Sequence, residues 1–185
     1  MRVTVAVTGA SGAIYARQLV ERLVGLGVEV ELILTQNGEA VVKQENQHKL
    51  LEIKGVTRLD NNDFFTAPAS GSSCSEAMVI VPCSMGMVGR IASGCSNDLV
   101  SRAADVMLKE RLPLIVVPRE CPFNTIHLRN LHELSSAGAI ICPAMPSFYN
   151  NPTSVEEVCS SVTERIIRLL GLKSNQPVWA APSHD

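Results

Sequence analysis

Aromatic residues make up only 4% of this chain, and Trp179 is its single tryptophan. So few rings exclude a series of base-stacking platforms. Basic surface is scarce too. The formal net charge is -2 and no Lys/Arg-dense stripe runs along any segment, which excludes a broad nucleic-acid interface. No apolar run reaches the length of a membrane span, so no membrane role is expected. The opening Met1-Arg2-Val3-Thr4-Val5 leads directly into a strand pattern with no signal-peptide architecture, and a cytoplasmic location follows as the expectation. The cysteines Cys74, Cys83, Cys95, Cys121, Cys142 and Cys159 form no C-x-x-C pair and read as small core residues of a reducing compartment. His48, His127, His132 and His184 lack the spacing of a metal site, and surface or helix-capping roles are expected for them. Also missing are the G-x-G-x-x-G of dinucleotide sites, the Lys of a P-loop and the G-x-S-x-G elbow of serine hydrolases.

What is present is the pattern of a globular α/β protein. Hydrophobic residues account for 46% of the 185 residues and charged ones for 18%, which suits one domain with a full core. Short, β-branched runs over 3–7, 28–34, 77–81, 114–117 and 139–142 predict strands. Helical periodicity follows the first run through Leu19, Leu23 and Leu26, and returns over 38–51, 85–93, 98–110, 125–135 and 155–170. The stretch 55–75 carries Asn, Pro, Gly and Ser signals and reads as loop, most strongly at 67–73. Strands alternating with helices predict a single Rossmann-like three-layer domain, a mostly parallel sheet covered by helices on both faces. Residues 1–172 are assigned to it, and 173–185 read as an irregular tail contacting a neighbouring subunit.

Ligands of such sheets bind beyond the carboxyl ends of the strands. Ser11, Thr35, Ser84 and Arg119-Glu120 all fall there. Thr8-Gly9-Ala10-Ser11-Gly12-Ala13 is a glycine turn whose helix start offers N–H groups to an anion, or else only a tight βα turn. Arg165 shares a helical face with Val158, Val162, Ile166 and Leu169. A guanidinium on an inward stripe needs an anion, because an unpaired buried charge costs several kcal/mol. A structural salt bridge or a snorkelling side chain is the alternative. Arg102 and Lys109 share one side of the helix expected over 98–110, where Asp105 is spaced to pair with Lys109. Arg119 and Glu120 either pair with each other or, with substrate present, take a phosphate and move protons.

With these residues in hand, the chain resembles the flavin prenyltransferase (UbiX-type) family over nearly its whole length. The matching stretches include Thr8-Gly9-Ala10-Ser11-Gly12-Ala13-Ile14-Tyr15, Val81-Pro82-Cys83-Ser84, Arg102-Ala103-Ala104-Asp105, Val117-Pro118-Arg119-Glu120 and Pro146-Ser147-Phe148-Tyr149. Several motifs in the right order are far more specific than any one. The resemblance implies a metal-independent transfer of a dimethylallyl group from dimethylallyl phosphate to N5 and then C6 of reduced FMN. The product, prenylated FMN, serves a partner decarboxylase. It also implies a large symmetric homo-oligomer such as a dodecamer.

Carried over by resemblance, Gly9, Ala10, Ser11, Thr35, Ser84, Met85, Gly86, Met87 and Arg119 hold FMN. Ser11, Glu45 and Glu120 handle protons. Tyr149, Arg165 and Arg119 bind the prenyl phosphate, with Arg102 and Lys109 from a neighbouring subunit, and Tyr149 and Trp179 face the prenyl group. Thr35 replaces the family's usual Ser, and Gly86-Met87 replace a common Lys-Thr, which leaves backbone or apolar contacts there. The rival readings are an FMN-dependent decarboxylase of the phosphopantothenoylcysteine type and a non-catalytic flavin carrier. The first needs a His base and an Asn-rich motif that the chain does not show, and the second has no use for a second set of anion-binding side chains.

Overall fold

The structure is a computed structural model and describes residues 1–175. Its strands are β1 (Arg2–Val7), β2 (Glu29–Leu34), β3 (Val56–Leu59), β4 (Ala77–Cys83), β5 (Leu114–Pro118) and β6 (Ile140–Ile141). They form one sheet in the order β3-β2-β1-β4-β5-β6, with every neighbouring pair parallel. The helices are α1 (Ala13–Gly25), α2 (Gln36–Gln44), α3 (Met85–Ala92), α4 (Leu99–Glu110), α5 (Thr125–Ser136) and α6 (Val155–Leu169). The expected three-layer α/β fold is therefore present, with a sheet that is wholly parallel.

The central strands have no solvent face, which is why their sequences run apolar without alternation. β4 is buried at every position and β5 likewise. Their side chains divide between two cores. Val5, Val79 and Ile115 pack under α1 and α6 with Leu19, Leu23 and Ile166. Ile33, Ile80 and Val116 pack on the other face, with Val88, Leu99 and Met107 of α3 and α4. Burying each such side chain contributes about 1.5–3 kcal/mol. The strand order reverses direction between β1 and β4, and the crevice at that switch point is where this topology leaves room for a ligand.

Two local readings change, and one is narrowed. The helix expected over 38–51 starts earlier and stops at Gln44, because Asn46 takes a left-handed φ of 56°; Asn tolerates that conformation with its short polar side chain. A separate short helical turn, His48–Glu52, follows. The stretch read as loop contains β3, which pairs Val30 with Val56 and Ile33 with Leu59. As an edge strand with Thr57 and Arg58 exposed, it carries no apolar run to betray it. His127 is a capping residue, as one of the two expected roles had it: Asn124 N–H donates to its ring at 3.4 Å, at the start of α5.

Asp98 caps α4, accepting from Ser101 N–H at 2.8 Å and from the Arg90 guanidinium at 2.8 Å. Burial alone raises the Asp98 carboxyl, but the bonds from Ser101 and Arg90 outweigh it and hold the group below its ordinary range. The sign follows directly. A lowered folded value gives stability that is present above the unfolded pKa of about 3.9 and is lost as pH falls through the folded one. Asp98→Ala should cost about 1–2 kcal/mol at neutral pH, and the gap from the parent protein in urea midpoint should narrow in acid. An equal gap at all pH values would contradict the assignment.

Candidate functional site

The loops that leave the carboxyl ends of β1, β2, β4 and β5 meet above the switch point. Thr8 ties two of them together: its hydroxyl donates to the Pro82 carbonyl at 2.9 Å and accepts from Ser84 N–H at 2.7 Å. Gly12 follows with φ 112°, a left-handed angle, and a Cβ there would stand 2.9 Å from the Tyr15 ring. Glycine is required at that corner for both reasons.

The expected free N–H groups at the start of α1 are not free. The Glu45 carboxylate accepts from Gly12 N–H at 3.0 Å and from Ala13 N–H at 2.8 Å. The protein thus supplies its own anion to this helix end, a favourable position for negative charge. Glu45 is the C-cap residue of α2, and the left-handed Asn46 follows it.

Two other helix starts remain open toward a cavity of about 610 Å³, lined by Thr8, Gly9, Thr35, Asn37, Ser84 and Arg90 among others. The Thr35 hydroxyl accepts from Gly38 N–H at 3.0 Å, capping α2, and the Ser84 hydroxyl accepts from Met87 N–H at 3.3 Å, capping α3. The size lies within the range of cofactor sites, and the lining is rich in hydroxyl and amide groups. A long polar ligand with an anionic end, such as FMN, fits these residues: N–H groups at two helix starts and a guanidinium face one space.

Of the flavin set, Gly9, Thr35 and Ser84 line this cavity. Ala10 is buried beside it in sequence, and Gly86 is exposed on α3. The Met85 and Met87 side chains are buried in the α3–α4 core, which leaves their backbone atoms to face a ligand. Arg119 Nε donates to the Ser11 carbonyl at 3.1 Å, reaching across the end of β4. Arg119 and Glu120 do not pair with each other; the exposed Glu120 carboxylate accepts from Cys121 N–H at 3.1 Å.

Arg165 is a correction. It is exposed, and the buried stripe of α6 is Cys159, Val162, Ile166 and Ile167. Seven-residue spacing put it one step off the true face. It lines instead a small cavity of about 130 Å³ with Cys142, Met145 and Ser147, at the end of β6. Ser147 N–H donates to Ser161 of α6 at 3.1 Å and holds the loop there. Burial pushes the Cys142 thiol up, and the Arg165 charge acts against it. Tyr149 is 83% exposed and is not part of that lining.

Arg102 and Lys109 sit away from both cavities within one chain. Arg102 pairs with Asp105 at 2.9 Å and donates to the Ala69 carbonyl at 3.1 Å, while Lys109 pairs with Glu110. Asp105 therefore holds Arg102, where Lys109 was expected. Trp179 lies outside the described residues. Cavity residues that sequence reasoning missed are Asn61, Arg90, Asn97 and Asp98. Asp98-x-x-Ser101 was readable as a helix start, but nothing in the sequence joined it to Asn61 across the fold.

Tyr15, in the glycine-turn motif, makes a second pH prediction. Burial, then the neighbouring Cys159, pushes its phenol up from 10.0 to about 12. A raised folded value gives stability that is intact below the unfolded pKa of about 10 and lost as pH rises toward 12. The loss should amount to roughly 2–3 kcal/mol. Denaturant titrations across that alkaline window should show it, and Tyr15→Phe should remove most of the slope.

A family model described as Flavoprotein matches residues 1–167. The chain is 43% identical over 177 residues to the flavin prenyltransferase UbiX of Methanocaldococcus jannaschii, covering 95% of this chain and 96% of that protein. Among solved structures, AnUbiX (PadA1) in complex with FMN and dimethylallyl pyrophosphate superposes with a TM-score of 0.88 at 36% identity, over 97% of this chain and 98% of the other. A dodecameric FMN-dependent UbiX-like decarboxylase from Escherichia coli O157:H7 gives 0.89 at 32% identity, over 97% and 100%.

Proposed function

The chain belongs to the flavin prenyltransferases of the flavoprotein family, and from that premise we propose that it joins a dimethylallyl group from dimethylallyl phosphate to reduced FMN. The observation that carries this reading is the match at 43% identity along nearly the full length of a flavin prenyltransferase. FMN supplies the nucleophilic N5 and C6 atoms. The bond from the prenyl carbon to phosphate oxygen breaks as the bond to N5 forms, and phosphate leaves.

The work of the protein is to position two anionic molecules and to move protons. The cavity at the ends of β1, β2 and β4 holds FMN, with Arg119 and Ser11 fixed together at its reacting edge. The leaving phosphate needs positive charge aimed at it, which takes the place of a metal ion. Arg165 and Tyr149 provide it, with Arg102 and Lys109 of a second copy. Ring closure joins C6 to the prenyl unit as its double bond takes up one proton, the Glu120 carboxylate accepts the proton that C6 releases, and the Ser11 hydroxyl relays protons at N5. Glu45 holds the Ser11 turn in place through its bonds to Gly12 and Ala13. The working form is a homo-oligomer in the cell interior, residues 173–185 contact a neighbouring subunit, and the product passes to a decarboxylase.

The test is anaerobic incubation with reduced FMN and either dimethylallyl phosphate or its diphosphate, followed by mass spectrometry of the flavin. The flavin should gain one dimethylallyl unit, with the monophosphate preferred. An unaltered flavin mass with folded protein defeats the reading. The E. coli relative is called a decarboxylase, so carbon dioxide release from an aromatic acid or a cysteine-terminated peptide should be assayed alongside. We expect none from this chain alone.

A further inference from the structure

Among the described residues, Arg90 is the only lysine or arginine lining the 610 Å³ cavity. No role follows for it from the acid–base and prenyl-phosphate sets, and hydrogen bonds hold one side of it. One terminal nitrogen, Nη1, donates to Asn97 Oδ1 at 3.0 Å and to Asp98 Oδ2 at 2.8 Å. Asp98 is itself fixed as the cap of α4, and Asn61 from the end of β3 bonds both Asp98 and the first turn of that helix. One nitrogen thus ties the guanidinium to the start of α4, which Asn61 in turn holds. Nε and Nη2 have no partner among the described residues, and the side chain is one-third exposed, at 34%. Three N–H donors are left over in a fixed fork.

Side chains of a helix lean toward its N-terminus, over the residue four positions before. For Arg90 that residue is Gly86, which has no side chain and nothing within 4 Å of where one would stand. Gly86 itself is exposed, and Ser84 and Arg90 at either side of it along α3 both line the cavity. Of the acidic residues of the lining, Glu39 pairs with Lys43 at 2.9 Å and Asp98 with Arg90 at 2.8 Å, while Asp60 accepts two bonds from Asn62 and keeps its charge.

Resting on the flavin reading above, we infer that Arg90 grips the phosphate of FMN and sets the preference for FMN over riboflavin. The reacting edge of the ring belongs beside Ser11 and Arg119, which are joined to each other outside this lining. The phosphate lies at the opposite end of the molecule from that edge. It extends into the part of the cavity walled by the starts of α2 and α3, where Arg90 is the only cation among the described residues. Asp98 offsets the charge of Arg90, so the grip comes from oriented donors more than from net charge. A planar fork suits phosphate oxygens in that role, and lysine does not reproduce it.

The experiment compares FMN and riboflavin binding, by quenching of flavin fluorescence, in the parent protein, Arg90→Gln and Arg90→Lys. Gln keeps an N–H donor for Asp98 and so preserves the cap, while losing the fork. Arg90→Gln should weaken FMN by about 10- to 100-fold, as expected for loss of charge-assisted bonds, and leave riboflavin unchanged. Arg90→Lys should recover part of the loss. Equal weakening of both flavins, or no change in either, overturns the inference while the prenyltransferase reading stands. A parent protein that binds neither flavin sinks that reading itself, and this inference with it.

Discussion

Arg165→Ala should leave FMN bound with unchanged affinity and slow prenyl transfer by about 10²–10³-fold, the usual cost of removing one donor aimed at developing charge. The two halves of that result come from different parts of the molecule. Arg165 is outside the 610 Å³ cavity and lines the smaller one at the end of β6. It is exposed and makes no ion pair within the described residues, so its removal does not disturb the core. A non-catalytic flavin carrier gives the opposite outcome, because nothing in its task depends on a second anion. Retained transfer in the variant, measured with saturating dimethylallyl phosphate, would remove Arg165 from the site.

Gly38→Ala should destabilise the protein by about 3–5 kcal/mol, although it adds a single methyl to a helix. The new Cβ would stand 2.3 Å from the Val7 carbonyl oxygen and 2.8 Å from its carbon. Both are backbone atoms and cannot swing aside. The same carbonyl accepts from Thr35 N–H at 3.0 Å, so relief of the clash must loosen the joint between β1 and the start of α2. That joint forms one wall of the cavity, and FMN affinity should fall with stability. Gly25→Ala is the control. It ends α1 with nothing within 4 Å of the added atom, and should raise stability by roughly 0.5–1 kcal/mol. Denaturant midpoints of the two variants moving together would refute the argument.

Much of the architecture was legible because burial on both faces writes itself into composition. The runs at β1, β2, β4 and β5 are apolar without alternation, and polar residues appear where each strand ends. That boundary is why Ser11, Thr35, Ser84 and Arg119 were found at the correct edge. β3 escaped because an edge strand of four residues with two exposed side chains looks like a loop. Arg165 was set on the wrong face because its spacing fits a helical stripe without fixing which side of α6 meets the sheet. Asp105 pairs at i,i+3 with Arg102, and local spacing alone allows either that or i,i+4 with Lys109.

The Glu45 carboxylate marks the limit most clearly. A glycine turn before a helix announces a place for an anion, and that much is local chemistry. Which anion arrives depends on where the end of α2 comes to rest, thirty-three residues away. The sequence by itself determined the layers, the parallel sheet and the edge that carries function, since these follow from hydrophobic periodicity and turn residues read within one element at a time. Only the tertiary structure decided that Glu45 fills the start of α1, that Arg90 and Asn61 share a cavity, and that Arg165 faces outward. Those are contacts between distant segments, and their free energy depends on distances that no local pattern encodes.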